Sequence, residues 1–211
     1  MTIKIQNQTF ILHHFGAIFW QEKSILLVSD VHFGKVSHFR KHGIAIPMEA
    51  ILENFKRMDT LINDFKPQTI IFLGDLFHST INNEWDLFMN WAKTVPQEII
   101  LVKGNHDILT DNHFEEIDIK VVPKLVIDSF ILTHHPLEVS TLYNFCGHIH
   151  PGIKLKAKGK QFLNIPCFFR KPNQMILPAF GEFTGNFYLK PTNKDLVYGI
   201  TPEKVIEITL Q

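Results

Sequence analysis

Three short, almost wholly apolar runs, Ile25–Val28, Thr69–Leu73 and Ile99–Val102, are separated by stretches with helical periodicity. This alternation is what most narrows the folds open to the chain. A continuous apolar run of this length reads as a strand buried on both faces, as in a parallel sheet covered by helices. Between the first two runs, Met48, Ile51, Leu52, Phe55, Met58, Ile62 and Phe65 fall three or four apart. They predict one apolar helical stripe, opened by Pro47 and closed by Pro67. Between the second and third runs, Asn83–Thr94 predicts another helix with Trp85, Phe88, Met89 and Ala92 on its buried side. Strand-helix-strand units with crossovers this long join parallel neighbours through right-handed connections.

From Lys120 onward the pattern turns to hairpins. Strands are expected at 125–127 and 130–133 around Asp128-Ser129, at 144–146, on both sides of Lys158-Gly159 with the second at 162–169, and at 175–177, 187–189 and 205–209. The expected architecture is α/β, with two mixed sheets packed face to face and helices outside. At 211 residues, with no linker, repeat or low-complexity tract, the chain reads as a single domain over residues 1–211.

Each apolar run ends in a polar cluster, and five such clusters lie between residues 30 and 150: Asp30-Val31-His32, Gly74-Asp75, Gly104-Asn105-His106-Asp107, His134-His135 and Gly147-His148-Ile149-His150. Ligands of α/β sheets gather beyond the carboxyl ends of strands, so the fold itself would bring these clusters together. In an extended segment, residues two apart point the same way, which lets Asp30 with His32, or His148 with His150, face one ion. Asp75 can bridge two ions through its two oxygens, and Asn105 adds a neutral amide oxygen. Together with His134, this is a set of oxygen and nitrogen ligands suited to two first-row divalent ions about 3.5 to 4 Å apart. No cysteine belongs to the set, which argues against structural zinc.

Two divalent ions against two carboxylates and a hydroxide leave a site of about +1, a match for an anionic phosphate ester. His106 is not needed as a ligand and is free to protonate a leaving oxygen, with Asp107 orienting its imidazole. Lys35 and Arg40 follow the first cluster and could touch phosphates, although a solvated loop accounts for them equally well. Lys plus Arg equals Asp plus Glu at 21 each, so no global field draws the chain to nucleic acid or membrane, and anion binding must be local.

The order D-x-H, GD, GNH-D/E, H, GHxH resembles the calcineurin-like metallophosphoesterase superfamily over residues 30 to 150. That resemblance implies a four-layer α/β/β/α sandwich and a dinuclear centre of manganese foremost, or iron or zinc. It places Asp30, His32 and His150 on one ion, Asn105, His134 and His148 on the other, Asp75 between them, and His106 as the catalytic histidine. It assigns His134 rather than His135 as the ligand, because the family uses the first residue of such an element, and this leaves His135 for substrate. The segments Asp30–Lys35, Phe39–Ile44 with Pro47, and Leu177–Gly185 further resemble the bacterial DNA-ligase-associated branch. This implies a phosphodiesterase or nuclease acting on DNA in repair, associated with a ligase, a helicase and an exonuclease. A phosphodiesterase or phosphomonoesterase for small nucleotides is the alternative, and a non-catalytic interaction module on the same fold is a third reading.

Other features read more plainly. Cys146 and Cys167 lie in apolar runs as reduced core thiols. Met1–Gln6 alternates like a strand and lacks a signal-peptide pattern, and no apolar run reaches about 18 residues, so a cytoplasmic protein with no membrane partner is expected. His13-His14 reads as a structural pair, and Trp20, Trp85 and Trp91 as packing residues. Lysines at 154, 156, 158 and 160 would face one side of a strand, either as a polar outer face or as a track for a nucleic-acid backbone.

Overall fold

The computed structural model describes residues 1–41, 43, 49–138, 141–156, 162–182 and 184–209, with backbone alone at 38, 41, 50 and 156. His42, Ile44, Pro47, Met48, Lys158, Gly159, Lys160 and Phe183 lie outside the described residues. The first sheet runs in the order β1 (Thr2–Ile5), β2 (Gln8–Leu12), β3 (Ile18–Trp20), β4 (Ile25–Val28), β5 (Thr69–Phe72), β6 (Glu98–Val102), β7 (Ile119–Val122). The first three strands form an antiparallel meander that leads into β4, and β4 to β7 are parallel, with β4, β5 and β6 at the three expected runs and β7 an addition to them.

The helices are α1 (Lys35–Lys41), α2 (Glu49–Phe65), α3 (Asn83–Thr94) and α4 (Asp111–Glu115). Val36, Ile51, Phe55, Met58, Leu61, Trp85, Phe88, Trp91 and Phe114 from these helices bury against Leu26, Val28, Ile70, Phe72, Ile99 and Leu101 on the outer face of the first sheet. Leu52 does not join them and is 45% exposed, while Leu61 takes the buried place. A helix turns about 100° per residue, so Ile51 and Phe55 on the core face carry Leu52 away from it.

In the second sheet, β8 (Leu125–Ile127) and β9 (Phe130–Leu132) form the expected hairpin, with Asp128 at φ +52 in its turn. The strands that follow are β10 (Tyr143–Cys146), β11 (Pro151–Lys156), β12 (Phe162–Lys171), β13 (Gln174–Ile176), β14 (Phe187–Tyr188), β15 (Leu196–Ile200) and β16 (Val205–Ile208). Their order is β14-β11-β12-β13-β10-β9-β8, with β15 on β12 and β16 on β15. The two sheets pack face to face through Phe10, Trp20, Leu27, Ile71 and Leu73 on one side and Phe130, Phe145, Phe168, Met175 and Tyr198 on the other. Ring centroids of Phe10 stand 4.9 Å from Phe145 and 5.5 Å from Phe130, so aromatic contact carries much of this interface.

The outer face of the second sheet buries Cys146, Cys167, Ile153, Ile165 and Phe169, and both thiols are free. The His13 and His14 rings lie 4.2 Å apart at a tilt of 33°, and the His13 ring accepts the Phe15 N–H at 3.2 Å. Burial first, and then the neighbouring His14, push the His13 pKa down to about 4, so the ring stays neutral. No helix among the described residues is long and apolar enough to cross a membrane.

Candidate metal centre

The five clusters meet where the parallel strands of both sheets end. Beyond β4 and β5 the chains continue side by side without being regular strands. Asp30 N–H donates to Gly74 O, His32 N–H to Asp75 O and Phe33 N–H to Leu76 O, at 3.1, 2.9 and 2.9 Å. In the second sheet the same continuation links Thr133 N–H to Phe145 O and Gly147 N–H to His134 O, both at 3.0 Å. Extended alternation is not what aligns the paired ligands. Asp30, His32, Asp75, His148 and His150 all adopt the left-handed region, at φ +55, +53, +51, +68 and +51. Side-chain-bearing residues rarely do so, and such strain persists only where the surroundings fix it.

Two groups of side chains result. Asp30, His32 and His150 bring one ligand atom each within 4.8 Å of one another, and His134, His135 and His148 do likewise. His150 Nε2 stands 3.1 Å from Asp30 Oδ1 and 3.4 Å from His32 Nε2. His134 Nε2 lies 3.0 Å from Asn105 Oδ1 and 3.2 Å from His148 Nδ1. Asp75 sits between the groups, with Oδ1 at 3.3 Å from His134 Nε2 and Oδ2 at 3.9 Å from His32 Nε2.

Protonation follows from the surroundings. His134 Nδ1 faces Leu73 O at 2.9 Å. A carbonyl only accepts, so Nδ1 carries a proton, which leaves Nε2, beside Asp75 and Asn105, as the nitrogen able to bind a metal. Burial pushes His32 down to about 3, and it also lowers His135 and His148, each helped by neighbouring histidines. For Asp30, burial works to raise the pKa, but His150 and the Ser29 hydroxyl at 2.6 Å outweigh it and hold it below the usual carboxylate range. The lowered pKa values of His32, His135 and His148 keep their ring nitrogens available as lone-pair donors beside two buried carboxylates. Imidazole nitrogens, carboxylate oxygens and the Asn105 amide oxygen gathered this closely are a donor set that fits divalent metal.

Glycines make the close approach possible. An added Cβ at Gly74 would stand 2.3 Å from His134 Nδ1, one at Gly104 2.2 Å from Asp75 Oδ1, and one at Gly147 1.7 Å from Ser29 Oγ.

The remaining expected residues divide. His106 is half-buried at the centre, and its N–H donates to Asp75 Oδ1 at 2.9 Å. Asp107 does not orient the His106 ring. Its buried carboxylate accepts the N–H groups of Asp75, Phe77 and Gly104 at 2.9, 2.9 and 2.8 Å, which makes it a clasp between two ligand loops. Burial raises its pKa, against the pull of those amides. Lys35 is half-buried and feels the charges of Asp75 and Asp30, while burial lowers its pKa. Arg40 is exposed and lines a separate cavity of about 410 Å³ with Ser37, Ile81 and Asn82. His135 is exposed, its ring 4.1 Å from that of His148.

His78 was not anticipated. Its ring lies 4.1 Å from His106 and 5.2 Å from His32. The only signal in the sequence is its place three residues after Asp75.

Residues 23–174 match the calcineurin-like phosphoesterase family, a span that holds every one of these candidate ligands. The chain belongs to this family. It is a hydrolase of phosphoester bonds, in a family that uses divalent metals. The crystal structure of Pseudomonas putida nuclease MPE is similar over 99% of both chains, at 29% identity and a TM-score of 0.83. Yfce, a phosphoesterase from E. coli, shares 15% identity over 87% of this chain and 97% of its own, at a TM-score of 0.45. No curated protein matches the chain.

A buried amide steadies the loop carrying His134 and His135. Asn144 donates to Ile131 O at 3.0 Å and Thr133 Oγ1 at 2.9 Å, and accepts from Leu137 N–H at 3.1 Å and Gln174 Nε2 at 2.9 Å. Asn144→Leu strands several of these groups, each costing about 1–3 kcal/mol when buried unpaired. A loss of at least about 2 kcal/mol in urea unfolding is therefore expected, and an unshifted midpoint would show that the loop is held in another way.

Proposed function

We propose that this phosphoesterase is a dinuclear-metal-dependent phosphodiesterase that cuts nucleic acid, with DNA as its substrate and DNA repair as its setting. Asp30, His32 and His150 would hold one ion and Asn105, His134 and His148 the other, with Asp75 available to both. Manganese is the leading metal, with iron or zinc as alternatives. The observation that carries this reading is Asp75, whose two oxygens turn toward different histidine groups. His134 is preferred to His135 as ligand because Leu73 fixes its tautomer while His135 stays exposed. The step from phosphoester to nucleic acid is supported by the full-length likeness to the Pseudomonas putida nuclease. Association with a DNA ligase, a helicase and an exonuclease belongs to the same proposal.

Bound divalent ions supply Lewis acidity and lower the pKa of water. The chain's own residues do the rest. His106 gives a proton from its ring to the leaving oxygen, His78 beside it contacts the phosphoryl group, and Lys35 adds positive charge at the rim.

Manganese-reloaded protein should cleave single-stranded or duplex DNA. If every DNA form stays intact while cyclic nucleotides or bis-p-nitrophenyl phosphate are hydrolysed, the substrate is a small nucleotide instead. His106→Ala should retain its metals and lose about 10²- to 10⁴-fold in kcat on the diester, the range of a general acid. Wild-type turnover would remove His106 from that role.

A further inference from the structure

Directly after His150 the chain leaves the metal centre along a three-stranded arm, β14-β11-β12. Phe187 N–H donates to His150 O at 2.9 Å, so β14 is anchored on a residue of the centre itself. The register pairs Gly152 with Tyr188 and Pro166, Lys154 with Asn164, and Lys156 with Phe162. Residues paired across strands share a face, as do residues two apart along one strand. Tyr188, Lys154, Asn164 and Phe162 therefore lie on one surface. Ile153 and Ile165 on the other face are buried in the core.

The shared face is not packed away. Phe162 is 64% and Tyr188 38% exposed, and Lys154 and Asn164 are exposed as well. Lys154 Nζ stands 5.3 Å from the centroid of the Tyr188 ring. The Tyr188 ring packs over Gly152, where an added Cβ would meet it at 3.1 Å, so the glycine gives the ring its seat on the sheet.

We propose that this face is a stacking platform for an unpaired nucleic-acid strand running to or from the phosphoester site. Tyr188 and Phe162 take the faces of bases, and Lys154 takes a backbone phosphate. The proposal rests on the nucleic-acid reading above. Aromatic rings interleaved with cations suit a single strand, because unpaired bases offer their π-faces and the backbone offers its charge. A chain with no net charge must gather such charge locally, and here it lies on the strand that begins at the metal centre. Strand rise puts Lys154 about 13 Å and Lys156 about 20 Å beyond His150, the reach of about four to six stacked nucleotides. A second copy of the chain suits the face less well, because a two-fold contact would bring Lys154 toward its own counterpart.

The test is anisotropy of a fluorescein-labelled single-stranded eight-nucleotide oligomer in EDTA, which reads binding apart from catalysis. Tyr188→Ala and Phe162→Ala should each raise Kd about tenfold, and Tyr188→Phe should restore it. A three-nucleotide oligomer should bind weakly and respond little to either substitution. Lys154→Ala should lower the salt slope by about 0.7, as one lost phosphate contact does. Both rings are exposed, so circular dichroism should show intact folds. Unchanged Kd values in the ring variants overturn the proposal, as does a dimer that Tyr188→Ala dissociates. Cleavage of the same oligomer by the unaltered, manganese-loaded protein tests the nucleic-acid reading separately. Cleavage with unchanged binding in the variants defeats the platform alone. No cleavage, with diester hydrolysis intact, defeats the reading beneath it.

Discussion

Gly147→Ala is expected to strip the protein of metal and activity together while leaving it folded at low temperature. The added methyl would lie 1.7 Å from Ser29 Oγ and 2.4 Å from Asp30 Oδ2, both on fully buried residues. Neither can swing aside. The Ser29 hydroxyl donates to Asp30 Oδ2 at 2.6 Å, and His148 N–H holds the same oxygen at 3.0 Å. The clash must move the Asp30 carboxylate or the Gly147–His148 backbone, and each carries a side chain of one of the two groups. Overpacking of this kind costs about 1–3 kcal/mol, and about 2–4 °C of Tm per kcal/mol applies to a chain of this size. The expected result is a Tm drop of several degrees in EDTA, loss of bound manganese and at least about a hundredfold loss of diester hydrolysis. Adding Ser29→Gly removes one obstacle and should recover part of the Tm but not the activity, because the Asp30 contact remains. Full metal content and a wild-type rate in Gly147→Ala would mean that the centre does not depend on this approach.

The dependence of the site on such contacts explains what could be read from the sequence and what could not. The runs at 25–28, 69–73 and 99–102 announce their strands because a strand buried on both faces needs apolar residues throughout, whatever its partners. Asp30, Asp75 and Asn105 follow from them, since strand ends of a parallel sheet converge. The second sheet was harder. Its parallel pairings of β9 and β13 with β10 join segments distant in the chain, and β15, like β2, β3 and β7 of the first sheet, carried too little signal to be named.

Leu52 was misplaced because spacing alone admits it to a stripe from which its angle excludes it. The role of Asp107 was hidden because its partners are backbone amides, which leave no mark on residue identity. His78 lies beyond the strand end, where no periodicity governs direction and only the continued pairing of residues 30–33 with 74–78 places it. The left-handed conformations of the ligands were equally invisible, since nothing in an Asp or His announces them.

Asp75→Asn should separate the energetics of the empty and the loaded site, because it acts on them with opposite signs. The substitution preserves shape and can still accept the His106 N–H on one side. It removes one negative charge, however, and turns an amide nitrogen toward one of the histidine groups. Asp30 and Asp75 carry ligand atoms within 4.8 Å of each other and of His134. At an effective dielectric of about 20, two like charges at that distance repel by on the order of 3 kcal/mol. Relieving the repulsion should raise the Tm in EDTA. With manganese present the order reverses. Wild-type protein gains about 2.7 kcal/mol when free metal exceeds its Kd a hundredfold, whereas the variant, missing a ligand to one ion and charge for both, gains little. Hydrolysis should fall by more than about 10³-fold if Asp75 is the carboxylate that two ions share, as proposed. Crossing stability orders in EDTA and in manganese, measured by calorimetry beside metal analysis, are the signature of a carboxylate placed for cations at the expense of the empty fold. A variant less stable in both conditions would make Asp75 a structural residue and would sink its bridging role.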